Sequence, residues 1–121
     1  MSGRGGFSLM VQVFKAVVEE TGVEAHRLAG GNRFRTSDVS LARALFVGVC
    51  REVTDRSYPR IARYLVLKSH GSCIDQHHRY QALLATGEWL ELGGTMSMLR
   101  VAVLNRVGVD GESGEQGGDA C

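Results

Sequence analysis

The sequence lacks most of what would mark a secreted, membrane-spanning or β-rich protein. One proline in 121 residues leaves little to interrupt helices. The three cysteines, Cys50, Cys73 and Cys121, are an odd number without paired spacing, so no disulfide framework is expected. Nothing at the start reads as a basic, apolar, small-residue signal peptide, and a reduced, cytosolic setting follows. No uninterrupted apolar run approaches the roughly 18 residues that a membrane-spanning helix needs, because polar or charged residues break every candidate. Net charge is also nearly absent, with 14 Lys plus Arg against 13 Asp plus Glu.

That balance conceals a segregation. From His26 to Tyr80 ten basic residues stand against four acidic ones, whereas Gln81 to Cys121 holds two arginines and six acids. The middle is a basic body and the end an acidic skirt, so the near-zero total does not argue against nucleic-acid binding. Hydrophobic residues at 44% suffice for one core, and the length leaves no room for two full domains. Residues 1–6 are Gly-rich and expected to be flexible, 7–107 form a single domain, and 108–121 carry the polar, acidic bias of a disordered tail.

Within the domain, alternating hydrophobicity is scarce and apolar residues recur by threes and fours, which predicts an all-α fold. A first helix is expected from about Ser8 to Thr21, with Met10, Val13, Phe14, Val17 and Val18 on one face and Gly22 as its left-handed stop. A short helical turn over Glu24–Leu28 leads to the loop AGGNRFRTSD, where Arg33 and Arg35 supply exposed charge. Thr36 or Ser37 can cap a long helix reaching about Thr54, buried along Val39, Ala42, Leu45, Phe46, Val49 and Val53. Arg43, Val47 and Arg51 recur at intervals of four on another face, which reads either as a solvated charged surface or as a grip on phosphates.

Ser57 then caps a short helix with Pro59 in its first turn, where a missing amide proton is harmless, and with Ile61, Tyr64 and Leu65 inward. After a tight connection at Val66–Ser69, Ser69 caps a helix from His70 to about Thr86, with Cys73, His77, Tyr80 and Leu84 inward and Gly87 as its end. A last segment with Trp89, Leu90 and Leu92, expected in core or dimer packing, precedes a terminal helix with the stripe Met98, Leu99, Val101, Ala102 and Leu104. A short helix, a turn and a longer helix opening with small polar residues form the helix-turn-helix pattern.

The local sequence RALFVGVCREVTDRSYPRIARYLVLKSHGSCIDQHHRY resembles the C-terminal double-stranded-DNA-binding domain of the bacterial replication initiator DnaA, a Trp-repressor-like helical bundle. That family shows an acid, an aliphatic residue and Thr, then Ser, an aliphatic residue, Pro, Glu, Ile and Gly. The counterparts here are Glu52, Val53 and Thr54, then Ser57, Tyr58, Pro59, Arg60, Ile61 and Ala62. The signature Gly-Gly-Arg-Asp-His-Ser/Thr-Thr-Val falls without gaps on Val66 to Cys73.

The resemblance implies that His70 and its neighbours read base edges in the major groove and that Arg35 reaches a minor groove. It also implies that Arg43 and Arg51 grip the DNA backbone, that Ser57 and Ser72 sit near phosphates, and that Lys68 is the signature's basic residue. The expected DNA-binding set is thus Arg33, Arg35, Arg43, Arg51, Ser57, Lys68, Ser69, His70, Gly71, Ser72 and Arg79. The start of the recognition helix should offer amide protons and a positive dipole to phosphate.

Ser69 stands where the signature has Asp, and Gly71 where it has a hydroxyl residue, so the initiator's own recognition sequence is not the expected target. Val66 and Leu67 in place of Gly-Gly make the turn more apolar. The loop GGNRFRTSD has no P-loop lysine, which excludes the initiator's nucleotide hydrolysis, and no enzyme activity or cofactor is expected.

A free-standing domain of this kind is similar to promoter-binding regulators of phage-derived and gene transfer agent genes. It is expected in the cytoplasm on the nucleoid, with RNA polymerase or another transcription factor as a further partner and oligomeric state open. The rival readings are a protein-binding adaptor or anti-activator that uses the acidic end as a docking surface or a DNA mimic, and a regulator of replication-origin binding. His70, Cys73 and His77 share a helix face that Cys50 could approach, but with no CxxC or HExxH pair a zinc site is not expected, nor is a Cys-His nucleophile.

Overall fold

A computed structural model describes residues 4–108, with side chains from Leu9 onward. Its elements run α1 (Arg4–Thr21), α2 (Ala25–Leu28), a 3₁₀ turn (Gly31–Arg33), α3 (Ser37–Val53), α4 (Tyr58–Tyr64) and α5 (His70–Thr86). A two-stranded hairpin, β1 (Trp89–Leu90) and β2 (Gly94–Thr95), leads into α6 (Met96–Val107). The bundle is all-α apart from that hairpin, whose strands pair antiparallel with Trp89 opposite Thr95 and Leu90 opposite Gly94. Among the described residues no helix is long and apolar enough to cross a membrane.

Helix α3 is the axis of the fold. Every residue from Leu41 to Cys50 is buried, because α1, α2, α5 and α6 pack around it. A stripe confined to Val39, Ala42, Leu45, Phe46, Val49 and Val53 therefore describes only part of its contact surface. Phe14 of α1, Phe46 of α3 and Tyr64 of α4 form an aromatic cluster, with the Phe14 ring edge-on to both partners at 5.6 and 5.2 Å. Near the C-terminal end of α3, Glu52 accepts from Tyr80 Oη and from Arg100 Nε, each at 2.8 Å. This carboxylate ties α5 and α6 to the axis.

Three expectations are corrected. Helix α1 begins at Arg4, four residues before the expected start near Ser8, while 1–3 lie outside the described residues. Trp89 is 67% exposed and does not join the core. Helix α6 buries Met96, Leu99 and Val103, leaving Met98 and Val101 exposed, because its face is set by α1, against which it packs, and by the hairpin that precedes it. The acidic tail falls outside the described residues from 109 on.

The turn between α4 and α5 closes with two backbone bonds, Leu67 N to Ala62 O at 2.8 Å and Val66 N to Arg63 O at 3.0 Å. This is the pattern in which the residue after the helix end is left-handed and usually Gly. Here it is Val66, at φ 61° and 62% exposed. A β-branched residue in that region is strained by roughly 1–3 kcal/mol. Val66→Gly, which loses little burial, is expected to stabilise the domain by about 1 kcal/mol after the glycine's own entropy, raising Tm by roughly 5 °C in a thermal melt. An unchanged or lowered Tm would mean that the turn carries no such strain.

Candidate nucleic-acid interface

Helix α4, the turn and α5 form a helix-turn-helix whose two caps are the expected ones. Ser57 Oγ accepts from Arg60 N at 3.4 Å, and Ser69 Oγ accepts from Gly71 N at 3.0 Å. Ser69 O also accepts from Ser72 N at 3.3 Å. Two of the first amides of α5 are thus satisfied within the chain, so the groups this end offers are mainly the side chains of His70 and Ser72, both exposed.

Residues two apart on a helix lie about 200° around its axis, so His70 and Ser72 face opposite sides of the first turn. Each side is a cleft. One, of about 230 Å³, is lined by Asn32, Arg35, Ser40, Arg43, Ser72 and Gln76, and joins the basic loop to α5. The other, of about 220 Å³, is lined by Pro59, Ala62, Arg63, Leu67, Lys68 and His70. Arg35 is thereby brought to Ser72, and Lys68 to His70.

The loop is placed by Gly31, whose N donates to Leu65 O at 3.1 Å and whose φ is +64°. A Cβ there would lie 2.2 Å from Val66 O, so only glycine lets the loop dock on the turn. Arg33 and Arg35 are both exposed, with Arg33 Cζ 5.5 Å from the Phe34 ring centroid.

Arg43 overturns its reading as a residue of a solvent-facing phosphate grip. It is 5% exposed. Its Nε donates to Leu28 O at 2.9 Å, and its Nη2 donates to Gly31 O at 2.8 Å and Arg27 O at 3.1 Å. Burial lowers its pKa, yet a guanidinium remains charged. Of its three nitrogens only Nη1 has no hydrogen-bond partner among the described residues. Val47 is fully buried too, so the shared face with Arg51 does not exist on the surface.

Arg51 is exposed and held at the α3 end, where Nη1 donates to Arg56 O at 2.9 Å and Cζ stands 4.4 Å from the Tyr58 ring centroid. Tyr58 Oη meets His77 Nδ1 at 2.6 Å. Arg51 thus lies beside His77, about 10 Å along α5 from His70 at 1.5 Å per residue. Arg79 is exposed, and its Nη1 donates to Ser40 Oγ at 2.7 Å. Ser57 and Lys68 are exposed, and Gly71 is half-buried.

Sequence reasoning missed Asn32, Ser40, Arg63 and Gln76 as cleft residues. Gln76 sits one turn after Ser72, and that spacing was the signal available for it. Among the described residues no three His, Cys, Asp or Glu side chains gather to hold a metal ion. Both thiols of the core are buried, and burial pushes Cys73 up to about 11 against the pull of Arg43. Burial and the neighbouring Cys73 also raise Cys50, so neither thiol is an activated nucleophile.

A short helix, a tight turn and a capped second helix flanked by cationic clefts define a helix-turn-helix protein of the DNA-binding class. Residues 10–79 match the family described as the bacterial DnaA protein helix-turn-helix, and the chain belongs to that family. The match ends within α5, so the hairpin and α6 lie beyond it. Searches of curated proteins and of solved structures returned no match.

Proposed function

We propose that the protein binds double-stranded DNA sequence-specifically and regulates transcription at promoters, without enzyme activity. The observation that carries this reading is the pair of clefts beside the first turn of α5, one joining Arg35 to Ser72 and the other joining Arg63 and Lys68 to His70. In this reading α5 enters the major groove with His70 and Ser72 at base edges, while Arg35 reaches the adjacent minor groove, whose negative potential suits a loop guanidinium. Arg33, Arg51, Arg63, Lys68 and Arg79 sit at phosphates, joined by the hydroxyl of Ser57. Ser69 and Gly71 serve by shaping the start of the helix. Promoters of phage-derived or gene transfer agent genes are the proposed targets, with contact to RNA polymerase or another transcription factor the means of activation.

Selection of bound duplexes from a random pool, followed by fluorescence anisotropy across a salt series, tests the proposal. With about five phosphates neutralised, log affinity is expected to fall against log salt with a slope near −4.5. His70→Ala is expected to relax preference at one or two base pairs, whereas Arg51→Ala weakens all duplexes alike. A salt-independent interaction, or uniform losses from both variants, would refute base reading by α5.

A further inference from the structure

From the contacts of Arg51 we infer that Tyr58 and His77 are positioning residues, a platform that holds the Arg51 guanidinium against the DNA backbone and ties it to α5. This rests on the DNA-binding reading of the preceding section. Arg51 is an exposed side chain with many rotamers, and such a group ordinarily loses considerable conformational freedom when it engages a phosphate. Here the loss is already met in the free protein. The guanidinium lies over the Tyr58 ring at 4.4 Å and spends one of its five N–H donors on Arg56 O, leaving four for a ligand.

The ring is itself fixed. Tyr58 is half-buried at the start of α4, and its hydroxyl meets His77 Nδ1 at 2.6 Å, with the two ring centroids 5.8 Å apart. With Nε2 protonated, Oη donates and Nδ1 accepts. Burial first, then the charges of Arg51 and His78 against that of Glu52, lower the His77 pKa and keep the imidazole a neutral acceptor. His77 also lies 6.2 Å from Tyr80, which is wholly buried and hydrogen-bonded to Glu52. The chain Arg51, Tyr58, His77 therefore runs from a surface cation of α3 through α4 into the body of α5, so that the backbone grip and the recognition helix keep one spacing.

A double-mutant cycle in the full chain tests this, using anisotropy with a fluorescein-labelled duplex of mixed sequence at low salt. Tyr58→Leu, which keeps apolar bulk, is expected to weaken binding about 3-fold to 5-fold, in keeping with a cation over an aromatic face. In an Arg51→Ala background the same change should have almost no effect. His77→Gln should give an intermediate loss that also vanishes in that background. Losses that simply multiply, or an undiminished Tyr58→Leu, overturn the positioning role while leaving the DNA reading intact.

Nuclear magnetic resonance of the free protein supplies a readout independent of DNA. The Arg51 Nε–H proton should be displaced by the Tyr58 ring current and return to the ordinary arginine position in Tyr58→Leu. An ordinary shift in the wild type overturns the platform. A displaced shift in a wild type that binds no duplex overturns the DNA reading, and with it the purpose assigned to Tyr58.

Discussion

Arg43→Met is expected to destabilise the domain by about 3 kcal/mol, lowering Tm by roughly 10–20 °C. It should also release the basic loop. The guanidinium serves three carbonyls, of Arg27, Leu28 and Gly31, two of them at the end of α2 and the third at the first residue of the 3₁₀ turn. Among the described residues it has no carboxylate partner, so carbonyl dipoles balance its buried charge. A methionine fills a similar volume but leaves Leu28 O without a donor and Arg27 O and Gly31 O with only the long backbone bonds from Gly30 N at 3.3 Å and Phe34 N at 3.4 Å, and a buried orphan costs about 1–3 kcal/mol unless the loop opens to water.

Opening carries a functional consequence, because the same loop presents Arg33 and Arg35. Gly31 also anchors the loop to the turn through Leu65 O. DNA affinity should therefore fall more in Arg43→Met than in Arg35→Ala, although Arg43 is almost wholly enclosed. Arg43→Lys should rescue little, since a single ammonium nitrogen cannot reproduce a planar fork aimed at three oxygens. Circular dichroism melts and amide hydrogen exchange over 27–34 are the measurements. Unchanged exchange there, with a Tm within about 2 °C of wild type, would show that the buried guanidinium does not organise the loop.

Local chemistry made much of this fold readable. The ends of α4 and α5 are written in Ser57, Pro59, Ser69 and Gly87, and the start of α3 lies where Thr36 and Ser37 suggested. Capping is decided within one turn, so a single sequence exposes it. Even there one detail differs, for Thr36 does not cap with its side chain; its hydroxyl bonds Asp38, whose Oδ1 accepts from Val39 N at 2.8 Å. That hydroxyl is the largest influence holding the Asp38 carboxyl below its usual range, and the nearby Arg27 guanidinium helps.

What could not be read depends on partners far along the chain. Arg43 resembles Arg51 in sequence, and only the loop fifteen residues earlier makes one an internal strut and the other a surface cation. The inward face of α6 was hidden for a different reason. Met98, Leu99, Val101, Ala102, Val103 and Leu104 are apolar nearly all round, so periodicity cannot choose a side. The choice falls to the hairpin and to α1, against which α6 packs. In the candidate site, His70, Lys68, Arg35 and Ser72 were singled out through the resemblance to the DnaA family, and the structure sets them along the two clefts. Ser40 and Gln76 were not, being polar residues that gain meaning only when α3 and α5 bring them together.

That packing of α3 on α5 leads to the second large expectation, for Gly48→Ala. Helix propensity alone predicts a gain of about 1 kcal/mol from replacing a mid-helix glycine. The structure predicts the reverse. A Cβ at Gly48 would stand 2.2 Å from two atoms of the Tyr80 ring, far inside van der Waals contact. The ring cannot retreat, because Tyr80 is fully buried and its hydroxyl is held by Glu52, which also binds Arg100. Overpacking of this kind costs roughly 1–3 kcal/mol and occasionally more, and loss of the Glu52 bond adds to it. The net expectation is a destabilisation of about 2 kcal/mol, read as a lowered denaturation midpoint with an unchanged m-value. Gly71→Ala is the control, since its Cβ would meet only the Ser69 hydroxyl, at 3.2 Å. Its stability should change by no more than about 1 kcal/mol, the helix-propensity gain being set against any shift of the Ser69 cap. If Gly48→Ala proved as stable as that control, α3 and α5 would not be in the close contact that sets the angle of the recognition helix to the rest of the bundle.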